Sequence, residues 1–279
     1  MNSTREESSP RPATAARSAM PALAFEDVKV HFKRPSLGVN KVLDGVSLAV
    51  AEGEFVVVVG ASGCGKSTLL NLAAGLLSPT EGTVRQQGQP VSGINTRIGH
   101  IAQNANLVPW RTVRENLMLP LAIRKWPKSE RADRVEHWIN AVGLGGFGDH
   151  YPHELSGGMQ KRCSIARTLV YDPDVILMDE PFGALDAMTK VVMQDELLRI
   201  WNEQQKTIMF ITHDLSEAIA LGDRVVAMGK NPGQIREVID VGLPRPRNVY
   251  RLMDDPSASA MHDRLWDLMR DQISEGLAR

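Results

Sequence analysis

With 279 residues, 43% of them hydrophobic and 23% charged, the chain has the composition of a globular protein and room for one large domain or two small ones. A net charge of −1 gives no electrostatic footprint for a nucleic-acid partner, and no run approaches the ~20 apolar residues needed to cross a bilayer. Residues 1–20 lack the apolar centre of a secretory signal and read as a disordered tail, while Cys64 and Cys163 form no disulfide framework and fit a reducing compartment.

In chain order, Leu23, Phe25, Val28, Val30 and Phe32 predict a strand whose alternation slips by one residue near Asp27. Arg34–Asn40 reads as a Pro/Gly loop, and Val46–Val50 as a short second strand. The β-branched run Phe55–Val59 predicts a strand buried on both faces, and Leu69–Ala74 a helix. After a turn at Ser78–Gly82 come strands over Thr83–Gln86 and Arg97–Ala102. From Thr112 to about Val142 the period is helical, broken by Pro120 and Pro127, with Ser129 capping Glu130–Val142. A helix over Gly157–Tyr171 places Met159, Cys163, Ala166 and Val170 on one face, and Val175–Glu180 is an apolar strand ending in two carboxylates. A helix from Ala187 to about Gln204 follows, then the strand Thr207–Thr212 and a helix over Leu215–Leu221 with capping-box spacing at Asp214 and Glu217. Strands Arg224–Met228 and Gln234–Val241 precede an amphipathic helix on Met261, Leu265, Leu268, Met269 and Ile273, whose simplest reading is packing on its own domain. Alternating buried strands and helices predict an α/β core with a parallel sheet, interrupted by a helical subdomain at about 104–172.

Gly60-Ala61-Ser62-Gly63-Cys64-Gly65-Lys66-Ser67-Thr68 lies between a strand and a helix and has the spacing of a phosphate-binding loop. Its glycines let backbone N–H groups close on an anion, and the helix start adds positive potential. Lys66 would reach the β- and γ-phosphates, and the Ser67 hydroxyl would ligate Mg²⁺. The chain therefore reads as a P-loop NTPase that binds a nucleoside triphosphate. Asp179, at the end of an apolar strand able to lie beside the one ending at Gly60, suits a Mg²⁺ carboxylate. Glu180, one residue further, suits a general base for the attacking water. A second string, Leu155-Ser156-Gly157-Gly158-Met159-Gln160, pairs an N-cap serine with a helix start clear of bulky groups, a second anion site.

Leu155–Gln160 resembles the signature sequence of ATP-binding-cassette (ABC) ATPases, and with the loop at 60–68 and the strand at 175–180 the order and spacing are similar to that family. Gln103 resembles its Q-loop glutamine, Ala184-Leu185-Asp186 its D-loop, and His213 its switch histidine; Phe32 is placed like its adenine-stacking aromatic, with a core position the alternative. The resemblance covers residues 23–245, so a cassette over 21–245 and a C-terminal helical tail over 246–279 are expected. It implies ATP and Mg²⁺ as ligands and a head-to-tail homodimer, in which Ser156, Gly157, Gly158 and Gln160 of one subunit meet the nucleotide on the other's loop. It also implies that Ser67, Gln103 and Asp179 hold the metal, that Lys66 and the loop amides hold phosphate, and that Glu180 and His213 act in hydrolysis.

Three kinds of cassette protein are weighed. Mechanical ATPases resemble cassettes split by coiled coils or doubled in one chain, and this chain shows neither pattern. A separate-subunit exporter stays open. Two segments favour an importer. Asn106–Val113 with Glu115-Asn116 follows Gln103 where the family docks its membrane permease subunits, with a simple core position the alternative for Trp110. Gly242-Leu243-Pro244-Arg245-Pro246-Arg247 is similar to the tail of ATPases serving nitrate, sulfonate and taurine importers, although a plain linker has the same composition, and no regulatory barrel domain is expected after it. The resemblance thus implies a peripheral subunit on the cytoplasmic face of the inner membrane, served indirectly by an extracytoplasmic solute-binding protein, with the solute itself undetermined.

Overall fold

A strand with no polar face must be covered on both sides. The computed structural model describes residues 20–34 and 38–277; the tail expected over 1–20 lies outside them but for Met20. The chain begins with the strands β1 (Leu23–Arg34), β2 (Gly38–Val50) and β3 (Phe55–Gly60), then helix α1 (Lys66–Ala73). Strands β4 (Glu81–Gln86), β5 (Gln89–Pro90) and β6 (Ile98–Ile101) follow. Helices α2 (Val113–Ile123), α3 (Lys128–Ala141) and α4 (Gly157–Leu169) come before strand β7 (Val175–Asp179). The rest is α5 (Ala187–Gln204), β8 (Thr207–Thr212), α6 (Leu215–Leu221), β9 (Arg224–Gly229), β10 (Gln234–Asp240), a 3-10 segment Val249–Asp254, and α7 (Pro256–Leu277).

Two sheets form. Six strands order as β10-β9-β3-β8-β7-β6, parallel except for β10, and four order as β2-β1-β4-β5, antiparallel. The side chains of β3 explain the layering. Phe55, Val57 and Val59 join a core with α2 to α7, while Val56 and Val58 join a second core with the antiparallel sheet and α1. Each fully buried valine contributes roughly 1.5–3 kcal/mol relative to exposure, which fixes this strand at the centre. Met261, Leu268 and Met269 pack with buried Leu265 on the first core, so α7 packs on its own domain.

The slip near Asp27 is a register shift between Phe25 and Val28, with Asp27 at φ 46. Other expectations are corrected. Neither sheet was separable from sequence alone, and the second strand starts at Gly38 rather than Val46, because backbone pairing with β1 extends it where its side chains stay exposed. Pro120 does not break its helix: buried Val113, Leu117 and Leu121 hold α2 together across it, and Arg124 N–H donates to the Pro120 carbonyl (3.0 Å). The next helix starts at Lys128, its N-cap being Pro127 at φ −53, so Ser129 sits inside the first turn without a capping role. Finally, β7 is not beside β3. The strand β8 lies between them.

Candidate active site

The loop leaving β3 is shaped by what its glycines exclude. A Cβ on Gly60 would lie 2.6 Å from the Cys64 sulfur and 2.8 Å from the Met228 carbonyl oxygen, and one on Gly65, at φ 98, would lie 2.5 Å from a Leu43 methyl. Gly63, at φ 81, has open space where a Cβ would stand, which leaves a cradle free for a ligand. The loop leans on the segment 42–44 and on Gly233, where a Cβ would lie 2.2 Å from the Cys64 carbonyl oxygen. Cys64 is buried, and burial pushes its thiol up against the opposing pull of Lys66, so it acts as packing. Lys66, buried itself, donates to the Gly60 and Ala61 carbonyls (2.7 and 3.3 Å), holding an ammonium beside the loop while Ser62, Gly63 and Ser67 face outward. A Gly-built cradle, a fixed ammonium and the start of α1 together fit a polyphosphate.

Pairing of Val59 with Thr212 and of Asp179 with Ile211 brings His213 and Glu180 to strand ends level with Gly60, and Gln103 joins Glu180 there. Glu180 adopts φ 41, its N–H donates to the Ile211 carbonyl (3.0 Å), and its Oε2 lies 3.1 Å from His213 Nδ1. A Cβ built on Gly183 would lie 3.7 Å from both Gln103 Nε2 and Glu180 Oε2, so these three residues share one small space. Asp179 ends β7, and α1 packs against that strand. Among the described residues no cluster of three His, Cys, Asp or Glu forms a metal cage. That donor set fits Mg²⁺, which takes a hydroxyl, one carboxylate, phosphate oxygens and water in place of a protein cage. Phe32 is 44% exposed on β1, so it is not a core aromatic and its ring is available for stacking.

Ser156 N-caps α4, its Oγ accepting from Met159 N–H (3.3 Å), and a Cβ on Gly157 would meet nothing within 4 Å. Among the described residues, Ser156–Gly158 make no hydrogen bond to the phosphate loop. Gln160 turns the other way: its amide donates to the Pro152 and Leu155 carbonyls (2.9 and 3.3 Å) and secures the turn into the helix. Sequence reasoning gave no role to Asp186 as the N-cap of α5, accepting from Thr189 N–H (3.0 Å), nor to Lys161, which is buried on α4. A lysine four residues before Ile165, on the apolar side of the helix, was the available signal.

The family model described as ABC transporter matches residues 43–183. The chain is an ABC transporter ATPase. It is 50% identical over 208 residues to an uncharacterized ABC transporter ATP-binding protein of Methanocaldococcus jannaschii, covering 75% of this chain and 78% of that one. It is 43% identical to the aliphatic sulfonates import ATP-binding protein of Bacillus cereus, covering 81% and 88%, and 41% identical to a nitrate import ATP-binding protein of Synechococcus elongatus, covering 90% and 38%. A dimeric ATP-binding cassette solved in a post-hydrolysis state with ADP and Pi superposes with a TM-score of 0.69 at 33% identity, covering 78% of this chain and 98% of that one. No helix among the described residues is long and apolar enough to cross a membrane.

Proposed function

We propose that this cassette hydrolyses MgATP as a head-to-tail homodimer and drives uptake of a small anion, of the sulfonate or nitrate kind, through membrane permease subunits fed by an extracytoplasmic binding protein. The observation carrying the catalytic part is the convergence of Glu180, His213 and Gln103 at strand ends level with Gly60, where the Gly-built loop begins. Lys66 and the loop amides would hold the β- and γ-phosphates, and Ser67, Asp179 and Gln103 would hold Mg²⁺, which would neutralise charge developing on the phosphate oxygens. Glu180 takes the proton of the attacking water, and His213, in contact with it, registers the γ-phosphate and orients the carboxylate. Phe32 stacks on the adenine.

The dimer accounts for the second anion site, since Ser156–Gly158 make no hydrogen bond to the chain's own loop among the described residues and would serve a nucleotide held by another copy. Gln160 then acts at one remove, by fixing the turn that presents Ser156. Import rests on the relatives' sulfonate and nitrate transport and on Trp110, whose 75% exposure beside the glutamine loop gives a membrane subunit an aromatic anchor. Coexpression with candidate permease subunits and reconstitution into vesicles tests this: ATP-dependent movement of the anion from the binding-protein side to the side that holds the cassette supports it. ATP-driven efflux in the reverse sense would make the complex an exporter.

A further inference from the structure

A cavity of about 490 Å³ lies between α5, α6 and the segment Val249–Asp254, outside the residues assigned to the nucleotide. That is the size of a small-molecule pocket. Val191 of α5, Ala220 of α6, and Leu252 and Met253 of the tail give it an apolar wall. Its polar part is built around Glu217, which is 3% exposed and has no cation of its own. Only neutral groups donate to this carboxyl, the Thr212 hydroxyl and the Gln194 amide (3.1 Å), whereas Lys190, the one ammonium in the lining, donates to Asp214 (3.1 Å). Burial therefore raises the Glu217 carboxyl, and the pull of Thr212, Lys190 and Gln194 recovers only part of the cost. Gln194, 5% exposed, spends its amide nitrogen on Glu217, which fixes the other end of the amide as oxygen. That oxygen accepts no hydrogen bond from any described residue.

We propose that this cavity binds a small organic cation, a primary ammonium on an apolar body. The ammonium donates to the Glu217 carboxylate and the Gln194 oxygen, and the body lies on Val191, Ala220, Leu252 and Met253. Charge selects the head group. Lys190 and Asp214 cancel, so an ionised Glu217 leaves one negative charge uncompensated in a site where burial is costly without a partner. An anion would face that carboxylate. A metal ion would find a largely apolar wall in place of the six or more oxygen ligands it needs. The ligand would also join two helices, since Leu185, just before the cap of α5, and Asp214, next to His213, both line the cavity. The site stands whether or not the proposed transport function does.

The test is calorimetric titration of the full chain at neutral pH, with MgADP saturating so that an aromatic probe cannot take the place beside Phe32. The probes are hexylamine and 2-phenylethylamine, with 2-phenylethanol and phenylacetate as neutral and anionic counterparts. The amines should bind, the alcohol about tenfold or more weaker for want of a charge-assisted hydrogen bond, and phenylacetate not measurably. Glu217→Gln keeps the side chain's shape and should bring the amines down to the level of the alcohol. Val191→Phe keeps every charge and fills the cavity, so it should abolish binding of amine and alcohol alike while MgADP affinity and the melting temperature stay level. Silence of both amines at millimolar concentration, equal binding of amine and alcohol, or amine affinity unchanged in E217Q or V191F overturns the proposal. Should V191F fail to fold, the comparison of amine with alcohol in wild type and E217Q decides.

Discussion

Glu180 holds a backbone conformation that a side chain other than glycine's pays for by about 1–3 kcal/mol, at φ 41. Its N–H bond to Ile211 and its contact with His213 hold it there, and the turn lets the carboxylate leave the line of β7 toward Gln103. Glu180→Gln keeps the side chain's shape and removes only its basicity, so phosphate release should slow by about 10²–10⁴-fold while ATP still binds and the melting temperature stays level. Release at the wild-type rate would take the proton-accepting role away from Glu180. At this scale the loop Gly60–Lys66 was legible because its spacing is set by local chain geometry, and the strand ends at Glu180 and His213 were legible from the apolar runs before them. The sequence left Phe32 and Trp110 open between an exposed and a core position, because exposure depends on neighbours distant in the chain, and the resemblance gave Gln160 to a ligand where its amide bonds the backbone in front of its helix.

Among the elements, α6 shows how a helix start behind the switch histidine is secured. Asp214 caps it, accepting from Glu217 N–H (3.1 Å); burial would raise this carboxyl, but bonds from Glu217 N–H and from Lys190 carry it below the usual range. Glu217 is the opposite case. Burial raises it, and its hydrogen bonds with Thr212 and Gln194 (the latter 3.1 Å) recover only part of the cost. A carboxyl raised on folding binds its proton more tightly in the native than in the unfolded state, so its contribution to stability is best in acid. That contribution is lost as pH rises from the ordinary glutamate range through the raised native value. Glu217→Gln should remove that slope, leaving urea-unfolding stability at neutral pH equal to or above wild type. A slope that persists in E217Q would assign it to another group. The capping spacing at Asp214 was readable in the sequence, but the burial of Glu217 was not, since seven residues of helix say little about which face meets α5. Strand order was likewise hidden: Val175–Glu180 announced a buried strand, yet nothing local says that β8 stands between it and β3. The segment Gly242–Arg247, open to a linker reading, instead closes α6: Arg247 donates to the carbonyls of Ile219, Ala220 and Gly222, and Arg245 pairs with Asp223 over the Trp201 ring.

At the scale of the whole molecule the proposed function gives partners to two surfaces, the start of α4 and the exposed turn around Trp110. For the first, Ser156→Arg places a bulky cation where a second copy's phosphates would approach. In a Glu180→Gln background, which retains ATP, gel filtration should show an ATP-dependent dimer, and adding S156R should abolish it while the monomer still binds the nucleotide. A dimer that survives S156R would place the interface elsewhere. For the second surface, the physical separation of roles makes a sharper demand. Trp110 is 75% exposed and lies outside the helices, whereas the loop it follows is anchored through Ala102–Asn106 to α4, so removing its ring should leave the cassette's fold and its nucleotide pocket intact. Trp110→Ala should therefore hydrolyse ATP as the isolated cassette does, yet lose affinity for the membrane subunits by about 2 kcal/mol or more, as expected for a buried aromatic anchor. In reconstituted vesicles this appears as lost stimulation of hydrolysis by the loaded binding protein. Retention of full stimulation would mean that the force between ATP site and membrane passes through another face. Lowered hydrolysis in the isolated W110A chain would show instead that the ring belongs to the catalytic body, and the separation between engine and coupling surface would fail.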